Sequence, residues 1–217
     1  MRALDDPAGF VMANTVLRPV AHVPEILLHV ADEALPIWEK TEEELGEIGL
    51  PPPFWAFAWA GGQALARYLI DNPRLVADKR VIDFASGSGL VAIAAKLAGA
   101  ASVLATDIDP FCRAAMELNG RANAITFDKQ MADITTVPSK GYDVICAGDV
   151  FYEAPMAERI LPFLEREWET GATVLIGDPG RSYLPKERLK KLADYQVPGT
   201  RALEDSDIKA TAVWTLA

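Results

Sequence analysis

Three consecutive patterns limit what this chain can fold into. Arg80-Val81-Ile82-Asp83-Phe84 reads as a short buried strand, Ala85-Ser86-Gly87-Ser88-Gly89 as a tight turn, and Leu90 to Leu97 as a helix. A strand feeding a glycine-rich turn and then a helix is the start of a βαβ unit. The pattern recurs downstream. Strands are expected at Ser102–Thr106, Ile125–Phe127, Asp143–Ala147 and Ala172–Ile176. Helices are expected from Gln63 to Ile70, from Pro110 to about Arg121 with Asp109 as N-cap, from about Pro155 to Trp168, and from Pro185 to Tyr195. Short apolar strands alternating with helices give a parallel sheet covered on both faces, an α/β fold. Two final strand-like runs, near Thr200–Leu203 and Lys209–Leu216, have no helix between them and should pair antiparallel at one edge. An open sheet of this kind binds its ligand at the carboxyl ends of its strands.

Composition then removes whole classes of function. With 21 basic and 31 acidic side chains the net charge is −10, which disfavours a nucleic-acid partner because phosphates need clustered Lys and Arg. It suits a basic partner. Two cysteines (Cys112, Cys146) and two histidines (His22, His29) supply neither a zinc site of usual spacing nor a disulfide framework. The expectation is no metal and a reducing compartment. No apolar run, Leu90–Ala95 included, approaches the roughly 20 residues that span a bilayer. The N-terminus lacks a targeting pattern, so a cytoplasmic location away from membranes is expected. Pro51-Pro52-Pro53 marks a boundary. Residues 1–50 carry ten acids and three bases, a net of −7, and form an acidic extension expected to pack on the core. Within it Ile26–Val30 reads as a strand and Glu39–Ile48 as an acidic helix; residues 51–217 form the main domain.

The turn carries chemistry. Gly87 and Gly89 let backbone approach a ligand where a Cβ would collide, and the following helix aims its free N–H groups at the same place. Gly87-Ser88-Gly89-Leu90-Val91-Ala92 matches the dinucleotide fingerprint formally, and Asp107, twenty residues after Gly87, is placed for ribose hydroxyls. These signals alone leave a nicotinamide cofactor and S-adenosylmethionine both open. Asp83 separates them: a carboxylate there repels a pyrophosphate but welcomes an ammonium and a sulfonium. The spacing from Asp83 to Gly89 resembles motif I of the Rossmann-like methyltransferases, with Ala85 where that family commonly has Gly. Asp133 after the third strand is placed to accept from an adenine amino group, and fits a surface turn as well. Trp59 and Gln63, in the aromatic run Phe54-Trp55-Ala56-Phe57-Ala58-Trp59 and the helix start after it, either wall the cofactor or pack in the core.

Four segments in order carry a more specific resemblance: Trp55 to Leu65, Asp107-Ile108-Asp109-Pro110, Gly148-Asp149-Val150-Phe151-Tyr152, and Gly177-Asp178-Pro179-Gly180-Arg181. Together they resemble the seven-β-strand methyltransferases that modify lysines of the electron transfer flavoprotein β subunit, whose Asp-x-Phe-Tyr signature matches Asp149–Tyr152. The resemblance implies the sheet order 3-2-1-4-5-7-6, S-adenosylmethionine as methyl donor, a lysine Nε target and the β subunit as partner. On this reading Asp149 and Tyr152 are the catalytic residues, Asp149 positioning the amine or helping take its proton. Phe151 forms an aromatic wall with Tyr152 that tolerates cations, and Arg181 orients the substrate or only ends a turn. Asp149 could otherwise cap the following helix. A small-molecule methyltransferase, a non-catalytic interaction protein with a vestigial fold, and a dehydrogenase are the competing classes.

Overall fold

The computed structural model describes residues 5–31, 52–137, 141–199 and 208–217. The acidic helix expected at Glu39–Ile48 and the strand-like run near Thr200–Leu203 lie outside them. In chain order the elements are α1 (Pro7–Asn14), β1 (Val16–Val20), β2 (Val23–Val30), α2 (Ala60–Asp71), β3 (Arg80–Phe84), α3 (Leu90–Leu97), β4 (Ser102–Asp107), α4 (Pro110–Ala122), β5 (Asp128–Met131), β6 (Val144–Gly148), α5 (Ala154–Glu169), β7 (Thr173–Asp178), β8 (Leu189–Pro198) and β9 (Ile208–Leu216). Strands β3 to β9 form one sheet in the order β5-β4-β3-β6-β7-β9-β8. Numbered within the sheet this is 3-2-1-4-5-7-6, as the resemblance implied. Every pairing is parallel except the two made by β9, which runs antiparallel between β7 and β8.

Strand alternation builds the two apolar layers. Val81, Val144, Cys146 and Leu175 face α1 to α4, while Ile82, Ile145, Val174 and Ile176 face α5. Asp109 caps α4 as expected, accepting from Phe111 N–H at 2.8 Å, with Pro110 as the first helical residue.

Two expected elements differ. The helix expected at Pro185–Tyr195 is a single 3-10 turn (Lys186–Arg188) followed by the long strand β8. Its residues satisfy a helical pattern locally, but Leu189, Ala193, Tyr195 and Val197 turn inward in strand fashion once β9 supplies a hydrogen-bonding edge. The strand expected at Ile125–Phe127 begins three residues later, at Asp128. Ile125 N–H instead donates to Gly120 O, closing α4, and Ile125 and Phe127 pack beneath the β1–β2 hairpin.

That hairpin lies over α2 and α3 through Val20, Val23, Ile26 and Leu28. Two amides one helical turn apart, Asn119 on α4 and Asn123 at its C-cap, pair with the backbone of β2. Asn123 exchanges hydrogen bonds with the backbone of Leu27 in both directions (2.9 and 2.7 Å), and Asn119 Oδ1 accepts from His29 N–H at 2.7 Å. Asn119 Nδ2 also donates to Ser88 O at 2.8 Å, so one fully buried side chain joins the hairpin to the glycine-rich turn.

Candidate active site

The strand order reverses between β3 and β6, and at their carboxyl ends lies a cleft of about 560 Å³. One wall is the turn after β3. Gly87 holds φ +54°, a left-handed backbone that glycine adopts without strain, and the Phe54–Trp55 backbone passes about 4 Å over the place its Cβ would take. Ala85 holds φ +52° in the same turn, a conformation that costs a residue with a Cβ about 1–2 kcal/mol. Asp107 Oδ2 accepts from Gly87 N–H at 2.9 Å, and its Oδ1 takes the N–H groups of Ile108 and Asp109. Thus the carboxylate ending β4 fixes the turn ending β3. Thr106 lines the same wall, and its buried hydroxyl has no partner among the described residues. A ligand with hydroxyl or amino groups fits that wall.

Asp83 is buried and also lines the cleft, with Ser86 Oγ and Ala92 N–H both donating to its Oδ2. Burial pushes its pKa up to about 7 against the pull of those two donors. Asp109 behaves alike, raised to about 7 by burial. Two buried carboxylates with no cation partner among the described residues favour a positively charged ligand. Asp133 sits at the rim, where its Oδ1 accepts from Thr135 N–H and Oγ1 and its Oδ2 faces Arg159 at 3.4 Å. Those contacts, Thr135 first, hold its carboxyl below the usual range. Asp133 thus builds a turn and borders the cleft.

The opposite wall is aromatic and charged. Phe54 contacts Trp59 (5.8 Å between rings) and Tyr152 (5.3 Å), so rings from before α2 and after β6 meet across the cleft. Trp59 is held by its indole N–H, which donates to Phe54 O at 2.9 Å. Burial raises the Tyr152 phenol to about 12, so it keeps its proton at neutral pH and cannot serve as a base.

Asp149 sits at the end of β6 with φ +56° and is 8% exposed. Its Oδ2 accepts from the N–H groups of Gly61 and Gly62 at the start of α2, the latter at 3.2 Å. Its Oδ1 accepts from Arg181 Nε at 3.0 Å and Nη2 at 2.8 Å. Asp149 therefore caps a helix, though the earlier α2 rather than the one that follows it. Burial raises its carboxyl pKa, while Arg181 and the two backbone donors act the other way. Gly61 makes the cap possible, because a Cβ there would run into Gly177 O and Asp149 Oδ2.

Three sequence-derived placements change. Phe151 is fully buried in the α5-side core and is not a wall of the cleft; the chain turns after Asp149 so that Phe151 points inward and Tyr152 outward. Gln63 is buried and away from the cleft: its Oε1 accepts from His22 N–H and its Nε2 donates to Ala58 O, tying the hairpin to α2. Gly89 lies under the turn as the N-cap of α3, where a Cβ would come 3.2 Å from Phe127 and 3.3 Å from Met116. Trp59, Asp83, Gly87, Asp107, Asp133, Asp149, Tyr152 and Arg181 all line one cleft. Phe54, Thr106 and Ile108 line it too and were not singled out from sequence. Phe54 belongs to the flagged aromatic run. Nothing in the sequence distinguishes Thr106 or the 64%-exposed Ile108 from ordinary strand-end residues.

Residues 64–163 match the family model described as "Ribosomal protein L11 methyltransferase (PrmA)". The chain is 36% identical over 217 residues to the electron transfer flavoprotein beta subunit lysine methyltransferase of Danio rerio, covering 97% of this chain and 83% of that one. It is 40% identical to the Mus musculus protein of the same name over 168 residues, 75% of this chain and 66% of the relative. A Caenorhabditis elegans homolog is 31% identical, with 91% and 90% covered. Among solved structures, a ribosomal protein L11 methylase from Lactobacillus delbrueckii subsp. bulgaricus superposes with TM-score 0.51 at 20% identity (74% and 80% covered). Magnesium protoporphyrin IX methyltransferase from Synechocystis with bound S-adenosylmethionine gives 0.52 at 14% identity (72% and 78% covered).

Proposed function

The chain belongs to the family of electron transfer flavoprotein β-subunit lysine methyltransferases, and from that premise we propose that it transfers methyl groups from S-adenosylmethionine to lysine Nε of the electron transfer flavoprotein β subunit. The observation that carries the reading is a single cleft with two different walls. Asp83, Gly87 and Asp107 stand on one side, and Trp59, Asp149 and Tyr152 on the other.

The first wall suits the methyl donor. Asp107 takes the ribose hydroxyls, Asp83 the ammonium, Asp133 the adenine amino group, and Gly87 leaves room for close backbone approach. The donor supplies an already activated methyl on a positive sulfur, so the chemistry calls for no metal.

The second wall prepares the lysine. An ordinary lysine has a pKa of about 10.4 and must lose a proton before its nitrogen can attack. Rings of Phe54, Trp59 and Tyr152 exclude water and tolerate a cation on entry. Asp149 is the residue that receives the amine and its proton; Tyr152, holding its own proton, orients rather than deprotonates. Alignment and exclusion of water supply most of the acceleration in a displacement of this type. The protein is further proposed to act in the cytoplasm and to engage neither nucleic acid nor membrane, in keeping with its charge of −10. Among the described residues no helix is long and apolar enough to cross a bilayer.

The test is mass spectrometry of electron transfer flavoprotein incubated with the protein and S-adenosylmethionine. Methyl increments on β-subunit lysines are the expected result. Methylation confined to other proteins would reject the substrate, and absence of S-adenosylmethionine binding would reject the activity.

A further inference from the structure

With Arg181 in place, Asp149 has no open acceptor position for the amine it is proposed to receive. Its two oxygens already accept from four donors: Gly61 and Gly62 N–H at Oδ2, Arg181 Nε and Nη2 at Oδ1. The first pair is fixed, because α2 is pressed against the ends of β6 and β7. The second pair belongs to a side chain on the cleft wall. Arg181 stands on the turn after β7, is 22% exposed, and lines the cleft. Its backbone N–H is anchored separately to Asp178 Oδ1 at 2.7 Å, so a movement of the guanidinium does not require the turn to move. The same guanidinium lies over the Trp59 ring, 5.7 Å from its centroid.

A cation held by one carboxylate oxygen and an indole face is what a lysine ammonium entering this cleft needs. We infer that Arg181 is a place-holder cation on Asp149 Oδ1 and the face of Trp59, which the incoming lysine displaces. Arg181 keeps the buried Asp149 charge compensated when no substrate is bound, avoiding the penalty of a lone buried ion. On displacement Oδ1 becomes the open acceptor that the transfer reaction needs. Apparent substrate affinity is then reduced by the fraction of molecules in which Arg181 is in place. This inference rests on the proposed lysine-methylating activity and adds a residue that sets the affinity for its substrate. Arg181 acts through Asp149 and is a positioning residue, not a catalytic one.

The experiment is steady-state methylation of the electron transfer flavoprotein β subunit by wild type, Arg181→Gln and Arg181→Lys at saturating S-adenosylmethionine. It is run at about pH 9, so that Asp149 remains ionised without its partner. If Arg181 is in place in about nine molecules of ten, Arg181→Gln lowers KM roughly tenfold. Arg181→Lys keeps a cation with single-point contact and lowers KM in the same direction by less, about twofold to threefold. S-adenosylmethionine affinity by calorimetry stays at the wild-type value in both. An unchanged or raised KM with a fall in kcat overturns the inference, since Arg181 would then be a permanent brace for Asp149. Should Arg181→Gln fail to fold, the KM of Arg181→Lys decides alone. If wild type does not methylate the β subunit, the functional proposal has failed instead, and calorimetric titration of a lysine-rich peptide against wild type and Arg181→Lys still separates tighter from unchanged cation binding.

Discussion

Replacing Asn119 with Leu should damage stability and cofactor binding together, although Asn119 does not line the cleft. The side chain is 0% exposed and makes two bonds to separate backbone segments, 2.7 Å from His29 N–H and 2.8 Å to Ser88 O. Leucine fills a similar volume and makes neither bond. Each buried backbone group left without a partner costs about 1–3 kcal/mol, and His29 N–H is only part-buried, so the whole change should remove about 2–5 kcal/mol. In urea, with a slope of about 2–3 kcal/mol/M for a chain of this size, the midpoint falls by about 0.7–2.5 M with the slope unchanged. The glycine-rich turn also loses its tether, and loosening it by one net hydrogen bond weakens S-adenosylmethionine about twofold to tenfold. Urea unfolding followed by circular dichroism and calorimetry of cofactor binding measure the two effects. A stability loss below about 1 kcal/mol with unaltered affinity would refute the reasoning, because the β1–β2 hairpin would then not be coupled through α4 to the turn.

Gly61→Ala should be worse than a typical helix substitution, costing upward of 1–3 kcal/mol and most of the activity, because its Cβ would collide with Gly177 O and Asp149 Oδ2; a thermal melt and a turnover assay check it. Ala85→Gly relieves a left-handed residue at φ +52° and should be neutral to stabilising by about 1 kcal/mol with cofactor affinity kept, measured by thermal unfolding. The buried Asp83 and Asp109, both raised to about 7, and Asp178, raised to about 6, bind protons more tightly folded than unfolded. Their contribution to apoprotein stability is therefore fully present below about pH 4 and is lost as pH rises through about 7. S-adenosylmethionine affinity should change oppositely, rising as Asp83 ionises through about pH 7, and Asp83→Asn should flatten that rise; calorimetry at a series of pH values reads both the slope and its loss.

The sequence by itself determined the parts governed by near neighbours. Strands β3, β4 and β6, the turn at Gly87, the capped start of α4 at Asp109-Pro110 and the place of Asp107 at the end of β4 were all legible. Alternation, capping and the steric freedom of glycine act over a few residues, which is the range a sequence pattern records. The tertiary structure decided what depends on partners far along the chain. Residues 189–198 became a strand because β9 offers an edge, against their local helical pattern. Gln63 read equally well as a cofactor wall or as packing, and Phe151 read as an aromatic wall, until the hairpin and the α5 layer claimed them. Asp149 is the clearest case. Its importance showed in the Asp-x-Phe-Tyr run, but its state did not, because its donors sit 87, 88 and 32 residues away. A buried carboxylate is acid, base, cap or cation site according to which donors surround it, and only the folded chain brings those donors together.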